Sequence, residues 1–151
     1  TVDEDAAGLR VTANRRFIAT DIVTMPFPGF PTDLQQPMGA VLTTADGTSI
    51  ITEKVYEHRF RYLNELKRMG ADVYTENRVA VIRGVPYLQG AQVTATDLRA
   101  GAALAIAALA AEGVTEISDV EHIQRGYENF EDKLRALGAS VLSGEALPCS
   151  Q

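Results

Sequence analysis

Two carboxylates and three guanidiniums recur at matching places in this sequence: Asp33 and Asp97, then Arg59, Arg99 and Arg125. Asp33 lies in Phe30-Pro31-Thr32-Asp33-Leu34-Gln35-Gln36-Pro37, behind the Pro- and Gly-rich lead-in Met25-Pro26-Phe27-Pro28-Gly29. Pro26, Pro28 and Pro31 push their predecessors toward extended backbone, so the lead-in is not helical. Thr32 is placed to cap the next helix, and Asp33 sits in its first turn, where negative charge is favoured. Pro37 has no N–H to offer the carbonyl of Asp33, so an irregular first turn is expected. Stiff backbone on both sides of a carboxylate suits acid–base chemistry, and it is also how an ordinary helix start reads. The stretch alone leaves both readings open.

The arginines bring a second chemistry. A guanidinium is a planar, permanently charged fork that fits carboxylate and phosphate, and helix N-termini add donors beside it. The landmarks fall in two series. The first runs Thr32-Asp33-Leu34, Gly47 to Ile50, Arg59, then Leu66-x-x-x-Gly70-Ala71-x-Val73. The second runs Thr96-Asp97-Leu98, Gly113 to Ile117, Arg125, then Leu134-x-x-x-Gly138-Ala139-x-Val141. Four landmarks in one order, with a slowly growing offset, are what a duplication leaves. Two copies packed about a pseudo-symmetry axis would gather Asp33, Asp97, Arg59, Arg99 and Arg125 at one end as an anion site. The competing reading pairs each arginine with a local carboxylate such as Glu57 or Asp97.

The elements that must carry these residues follow from periodicity. Residues 1–8 read as a solvated end, and Leu9–Thr12 and Ala19–Thr24 as strands. A helix is expected from about Thr32 to Ala45, with Leu34, Met38, Val41, Leu42 and Ala45 as its apolar run. Thr48–Thr52 is a β-branched strand. His58–Met69 is a helix with Tyr62, Leu63, Leu66 and Met69 inward and Gly70 as its cap. Val73–Thr75 and Val79–Ile82 form a hairpin, and Val85–Leu88 is irregular. Val93–Ala95 is a strand, and Asp97–Ala111 an Ala-rich helix, apolar on almost every side. Such a helix must be buried all round, which in a small domain puts helices inside and strands outside. Gly113–Ile117 is a strand, Glu128–Leu137 a helix with Phe130, Leu134 and Leu137 on one face, and Ser140–Leu142 a last strand.

The 151 residues suffice for one domain with a sizeable core, and 46% hydrophobic with 23% charged is a globular balance. A net charge of −6 disfavours a nucleic-acid partner. One cysteine, Cys149, rules out an internal disulfide and a cysteine-cluster metal site. His58 and His122 lie too far apart to read as a metal motif, so neither metal nor cofactor is expected. The apolar run Ala100–Ala111 is short of the roughly 20 residues a membrane helix needs. No signal peptide opens the chain, and a cytoplasmic location is expected.

Four stretches then carry a family resemblance: Met25 to Gln35, Thr52-Glu53-Lys54-Val55-Tyr56-Glu57-His58-Arg59-Phe60, Gly90 to Ala100, and His122-Ile123-Gln124-Arg125-Gly126-Tyr127-Glu128. On these the chain resembles the UDP-N-acetylglucosamine 1-carboxyvinyltransferases, covering the C-terminal third or so of a member. The resemblance implies an α/β (α+β type) fold, part of an inside-out α/β barrel of β-α-β-α-β-β repeats with helices inside and sheets outside. Residues 1–151 would be a single partial domain of two units, about 19–88 and 89–145. The implied reaction moves the enolpyruvyl group of phosphoenolpyruvate to the 3-hydroxyl of UDP-N-acetylglucosamine in peptidoglycan synthesis, releasing phosphate through a tetrahedral intermediate.

By the same resemblance Asp33 holds and deprotonates that hydroxyl, and the Val55 backbone contacts the UDP-sugar. Arg125 contacts phosphoenolpyruvate beside Arg59 and Arg99, and Asp97 orients the cluster. His58 departs from the family's usual Asn. The family's catalytic-loop cysteine and N-terminal lysine–asparagine pair are not in this sequence, and the surroundings of Cys149 do not match that cysteine. The chain alone is therefore expected to be inactive and to need the N-terminal part of the same protein. The apolar surface left bare by a missing third unit is expected to drive self-association. Two alternatives are a 5-enolpyruvylshikimate-3-phosphate synthase-like enzyme, which lacks the Phe-Pro-Thr-Asp-Leu-Gln run, and a non-catalytic half-barrel.

Overall fold

The computed structural model describes residues 1–142. The first residues are not a bare tail. β1 (Val2–Asp5) and β2 (Gly8–Val11) pair antiparallel, Val2 opposite Val11 and Asp5 opposite Gly8, and every residue of both is exposed. The acidic composition of residues 1–8 hid the strand, because alternation carries no signal when neither face is covered.

After β3 (Ile22–Val23) the lead-in closes as a loop. The Met25 N–H donates to the Phe30 carbonyl at 3.0 Å and the Gly29 N–H to that of Pro26 at 2.9 Å. A 3-10 turn, Thr32–Leu34, leads into α1 (Gln35–Leu42), so the helix is shorter at both ends than the pattern implied. Pro37 becomes the third residue of α1, where an N–H has no intrahelical partner, and the 3-10 turn absorbs the irregularity. Thr32 does not cap: Pro31 stands at the cap, and the Thr32 hydroxyl is spent elsewhere.

The buried face of α1 is also not the Leu34–Met38–Val41 stripe. Gln35, Gln36, Gly39, Ala40 and Leu42 face inward, and Leu34 is exposed. Close packing against its neighbours selects small residues there: a Cβ on Gly39 would lie 2.0 Å from the Tyr62 hydroxyl.

β4 (Thr48–Thr52), α2 (Tyr62–Arg68), β5 (Asp72–Glu76) and β6 (Val79–Arg83) follow. The sheet order is β3-β4-β6-β5, with β3 parallel to β4 and the other pairs antiparallel. α2 starts later than expected, at Tyr62. Its inward face is the one read from the wheel, with Leu63, Leu66 and Met69 fully buried. Gly70, at φ +86°, ends it, and the Ala71 N–H reaches back to the Leu66 carbonyl at 3.0 Å.

Next come β7 (Leu88–Gln89), β8 (Gln92–Thr94), α3 (Leu98–Leu109), β9 (Ala111–Glu112), β10 (Glu116–Ser118), α4 (Glu121–Gln124) and α5 (Phe130–Ala136). β7 pairs with β9 and β8 with β10, both parallel. α4 is one turn long and left no periodic trace in the sequence. Residues 140–142 form no strand. The Phe130–Leu134–Leu137 face is only partly covered: Phe130 meets the Tyr127 ring at 5.3 Å, no residue of α5 is fully buried, and Leu137 is 85% exposed.

α1 and α2 both pack on α3, in which Ala100 to Ala105 and Ala107 are buried. The sheet lies outside them and points Ser49, Ile51, Ala80 and Ile82 inward. The fold is α/β with helices inside and strands outside, as the all-round apolar helix required. Among the described residues no helix is long and apolar enough to cross a membrane.

Candidate active site

The 3-10 turn presents Asp33 to solvent, with its side chain 57% exposed, between two arginines from distant elements. Arg99 Nε, from the first turn of α3, lies 2.6 Å from Asp33 Oδ1, and Arg59 Nη1, from the turn before α2, lies 3.6 Å from the same oxygen. Arg59 is further held by its guanidinium sitting 4.4 Å over the Tyr56 ring. The local-carboxylate reading fails for both arginines. Glu57 pairs with Arg78 instead. The Asp97 carboxylate caps α3, accepting from the backbone N–H groups of Arg99 at 2.8 Å and Ala100 at 2.9 Å. Asp97 thereby fixes the residue that reaches Asp33.

The Arg99 hydrogen bond holds the Asp33 carboxyl below its ordinary value of 3.8; desolvation opposes it, and the charges of Arg99 and Arg59 add to the lowering. The Asp33 pairing in turn raises Arg99. Because the folded carboxyl is the stronger acid, the stabilisation it gives is present above the unfolded value. It is lost as pH falls through the folded one, in a window below pH 3.8. An NMR titration of Asp33 should show a midpoint below 3.8, and Arg99→Ala should move it up; an unchanged midpoint would break the assignment.

Arg59 also lines an open cleft of about 330 Å³ with Gln36, Tyr56, His58, Thr96 and Asp97. Gln36 is buried, its Oε1 has no hydrogen-bond partner among the described residues, and its Nε2 makes only a long contact of 3.5 Å to the Arg59 carbonyl. His58 has φ +57°, a left-handed conformation that Asn and His adopt more readily than most residues. The histidine therefore replaces the expected asparagine at little backbone cost.

Val55 stands at the mouth of the turn after β4. Its N–H donates to Glu53 Oε1 at 2.8 Å, which leaves its carbonyl, with no hydrogen bond among the described residues, as the group open to a ligand. Arg125 follows α4 at the N-terminal end of α3: a Cβ on Gly126 would lie 2.7 Å from Leu98 Cδ1, and Tyr127 contributes to the field at Arg99. The Arg125 side chain is exposed and makes no ion pair or hydrogen bond among the described residues, so no direct contact joins it to Asp33. Cys149 lies outside the described residues. Gln36, Tyr56 and Thr96 were not singled out from the sequence, although Tyr56 and Arg59, three apart, carried the hint of a stacked pair.

A family model described as EPSP synthase (3-phosphoshikimate 1-carboxyvinyltransferase) matches residues 1–134. The chain is 56% identical over 140 residues to UDP-N-acetylglucosamine 1-carboxyvinyltransferase 1 of Caldanaerobacter subterraneus subsp. tengcongensis, a match covering 93% of this chain and 34% of that protein. It is 55% identical to the UDP-N-acetylglucosamine 1-carboxyvinyltransferase of Desulfofundulus thermocisternus, over 93% of this chain and 58% of the relative. Among solved structures, the enolpyruvyl transferase NikO from Streptomyces tendae matches with a TM-score of 0.84 and 31% identity, over 93% of this chain and 33% of that one. EPSP synthase from Acinetobacter baumannii, at TM-score 0.60 and 22% identity, shares the fold. The chain thus spans about a third of the length of most of these relatives. With the family's sequence pattern running from residue 1 to 134 and its architecture shared by a solved enolpyruvyl transferase, the chain belongs to the EPSP synthase family.

Proposed function

We propose that this chain is the C-terminal portion of an enolpyruvyl transferase acting on phosphoenolpyruvate and the 3-hydroxyl of UDP-N-acetylglucosamine, a cytoplasmic step of peptidoglycan synthesis. The observation that carries the reading is Asp33 held ionised between Arg99 and Arg59 beside an open cleft. An ionised, exposed carboxylate accepts a hydrogen bond from a sugar hydroxyl. As substrate anions draw the arginines away, its depressed basicity recovers and it takes the proton. The hydroxyl oxygen bonds to C2 of the enolpyruvyl group while C3 gains a proton. Collapse then breaks the C2–O bond to phosphate, and C3 gives the proton back. Arg59, Arg99 and the exposed Arg125 are suited to the phosphate and carboxylate of phosphoenolpyruvate, and the Val55 carbonyl to the UDP-sugar.

Residues 19–88 and 89–145 are read as two copies of one unit. The order β3-α1-β4-α2-β5-β6 in the first, and β8 and α3 leading to β10 in the second, supports that division. The relatives at about 55% identity are UDP-N-acetylglucosamine enzymes, which favours that sugar over shikimate 3-phosphate.

The test is phosphate release from phosphoenolpyruvate plus UDP-N-acetylglucosamine, with the complete protein and with this chain alone. Release by the complete protein and none by the chain is expected. Absence of release from the complete protein sinks the reading, and turnover by the chain alone sinks the claim that it is one wall of a larger site.

A further inference from the structure

Glu53 is a buried charge that the proposed reaction leaves idle. The residue is 1% exposed, and no cation among the described residues pairs with it. It is satisfied by four donors from three separate stretches. Oε1 accepts from the Thr24 hydroxyl at 2.7 Å and from the N–H groups of Val55 at 2.8 Å and Tyr56 at 3.0 Å. Oε2 accepts from the Thr32 hydroxyl at 2.9 Å. The Thr24 hydroxyl also accepts from the Lys54 N–H at 2.9 Å, so the end of β3 is tied to the same knot. Burying a carboxylate is costly unless its lone pairs are filled, and here they are.

Three of the four donors sit beside a group of the site. Thr32 precedes Asp33 in the chain. Val55 carries the open carbonyl. Tyr56 bears the ring on which Arg59 stacks. Among the described residues the other side-chain ties between the two stretches are loose: the Asp33–Arg59 pair at 3.6 Å and the contact of Gln36 Nε2 to the Arg59 carbonyl at 3.5 Å.

From this network we infer that Glu53 is a positioning residue. It fixes the turn bearing Asp33 against the turn bearing Val55, Tyr56 and Arg59, with one carboxylate oxygen gripping each. It touches neither substrate nor reacting atoms, and it acts through Thr32 and the two amides. Only the kinetic consequence rests on the enolpyruvyl-transfer reading. A displacement of about 1 Å between acid–base group and anion site costs up to about a hundredfold in rate, so the grip has a measurable worth.

The experiment compares Glu53→Gln, Thr32→Val and Thr32→Ser in the complete protein, reading kcat and KM by phosphate release and amide hydrogen exchange at Val55 and Tyr56. Thr32→Val deletes one hydrogen bond at constant volume and is expected to lower kcat about tenfold with a smaller change in KM, while Thr32→Ser stays within about threefold of wild type. Glu53→Gln is expected to lower kcat further and to speed exchange at both amides at least about tenfold, because a neutral amide oxygen is the weaker acceptor. Wild-type kcat in Thr32→Val, or equal losses in the serine and valine variants, overturns the inference. Should Glu53→Gln fail to fold, the Thr32 pair decides alone. Should wild type itself release no phosphate, the functional reading falls and the exchange data decide: unchanged protection in Glu53→Gln overturns the positioning role, and accelerated exchange confined to those amides sustains it.

Discussion

Asp33→Ala in the complete protein is expected to cut phosphate release about a thousandfold while leaving the unfolding midpoint nearly where it was. The two halves of that expectation have different physical sources. The carboxylate sits on a 3-10 turn with its side chain 57% exposed. Exposed ion pairs contribute about 0–1 kcal/mol to stability, so folding should hardly register the loss. Chemistry registers it twice. The hydroxyl loses its acceptor, and Arg99 and Arg59, no longer sharing a counter-charge, are left to repel one another where an anion must dock. Phosphate release gives the rate, and thermal denaturation of the same sample gives the control. A rate within tenfold of wild type would remove Asp33 from the mechanism, and a collapsed midpoint would recast it as a structural residue.

How far the sequence carried this picture depends on the range of the forces involved. The Asp and Arg landmarks were legible because helix starts and turns are local: Asp97 caps α3 through bonds to Arg99 and Ala100, two and three residues away. The interior position of α3 was legible because an all-apolar helix has no face to spare for water. Glu53 was not. At the end of the alternating strand Thr48–Thr52 a glutamate reads as solvated, and only the return of Thr24 and Thr32, 29 and 21 residues earlier, turns it inward. The glutamines at 35 and 36 misled for the same reason. Their burial follows from how close α1 comes to its neighbours, which Gly39 permits and periodicity does not record. Arg125 shows the limit from the other side. Its place in the repeat was plain, but among the described residues its side chain makes no ion pair or hydrogen bond.

Gly84 is a second position where distance along the chain conceals the constraint, and it carries the largest expected effect on stability. A Cβ there would lie 1.6 Å from the carbonyl oxygen of Ala45 and 2.7 Å from its carbonyl carbon. Neither atom can step aside. The Gly84 N–H is bonded to the Gly47 carbonyl at 2.9 Å and the Val85 N–H to that of Thr43 at 2.7 Å, so the turn after α1 and the end of β6 are laced backbone to backbone. Arg16 ties the same two segments from outside, through the carbonyls of Thr44 and Val85. Overpacking against side chains costs about 1–3 kcal/mol; against backbone, Gly84→Ala should reach about 3 kcal/mol or more. For a chain of this size that is a fall of about 6–12 °C in midpoint. Gly70→Ala is the comparison that isolates the cause. Gly70 has φ +86° but open space around its Cβ position, so its replacement pays only the left-handed backbone penalty of about 1–2 kcal/mol. Denaturant melts of both variants should therefore rank Gly84→Ala as the more damaging. The reverse order would mean that the junction between α1 and β6 yields more easily than its paired hydrogen bonds imply.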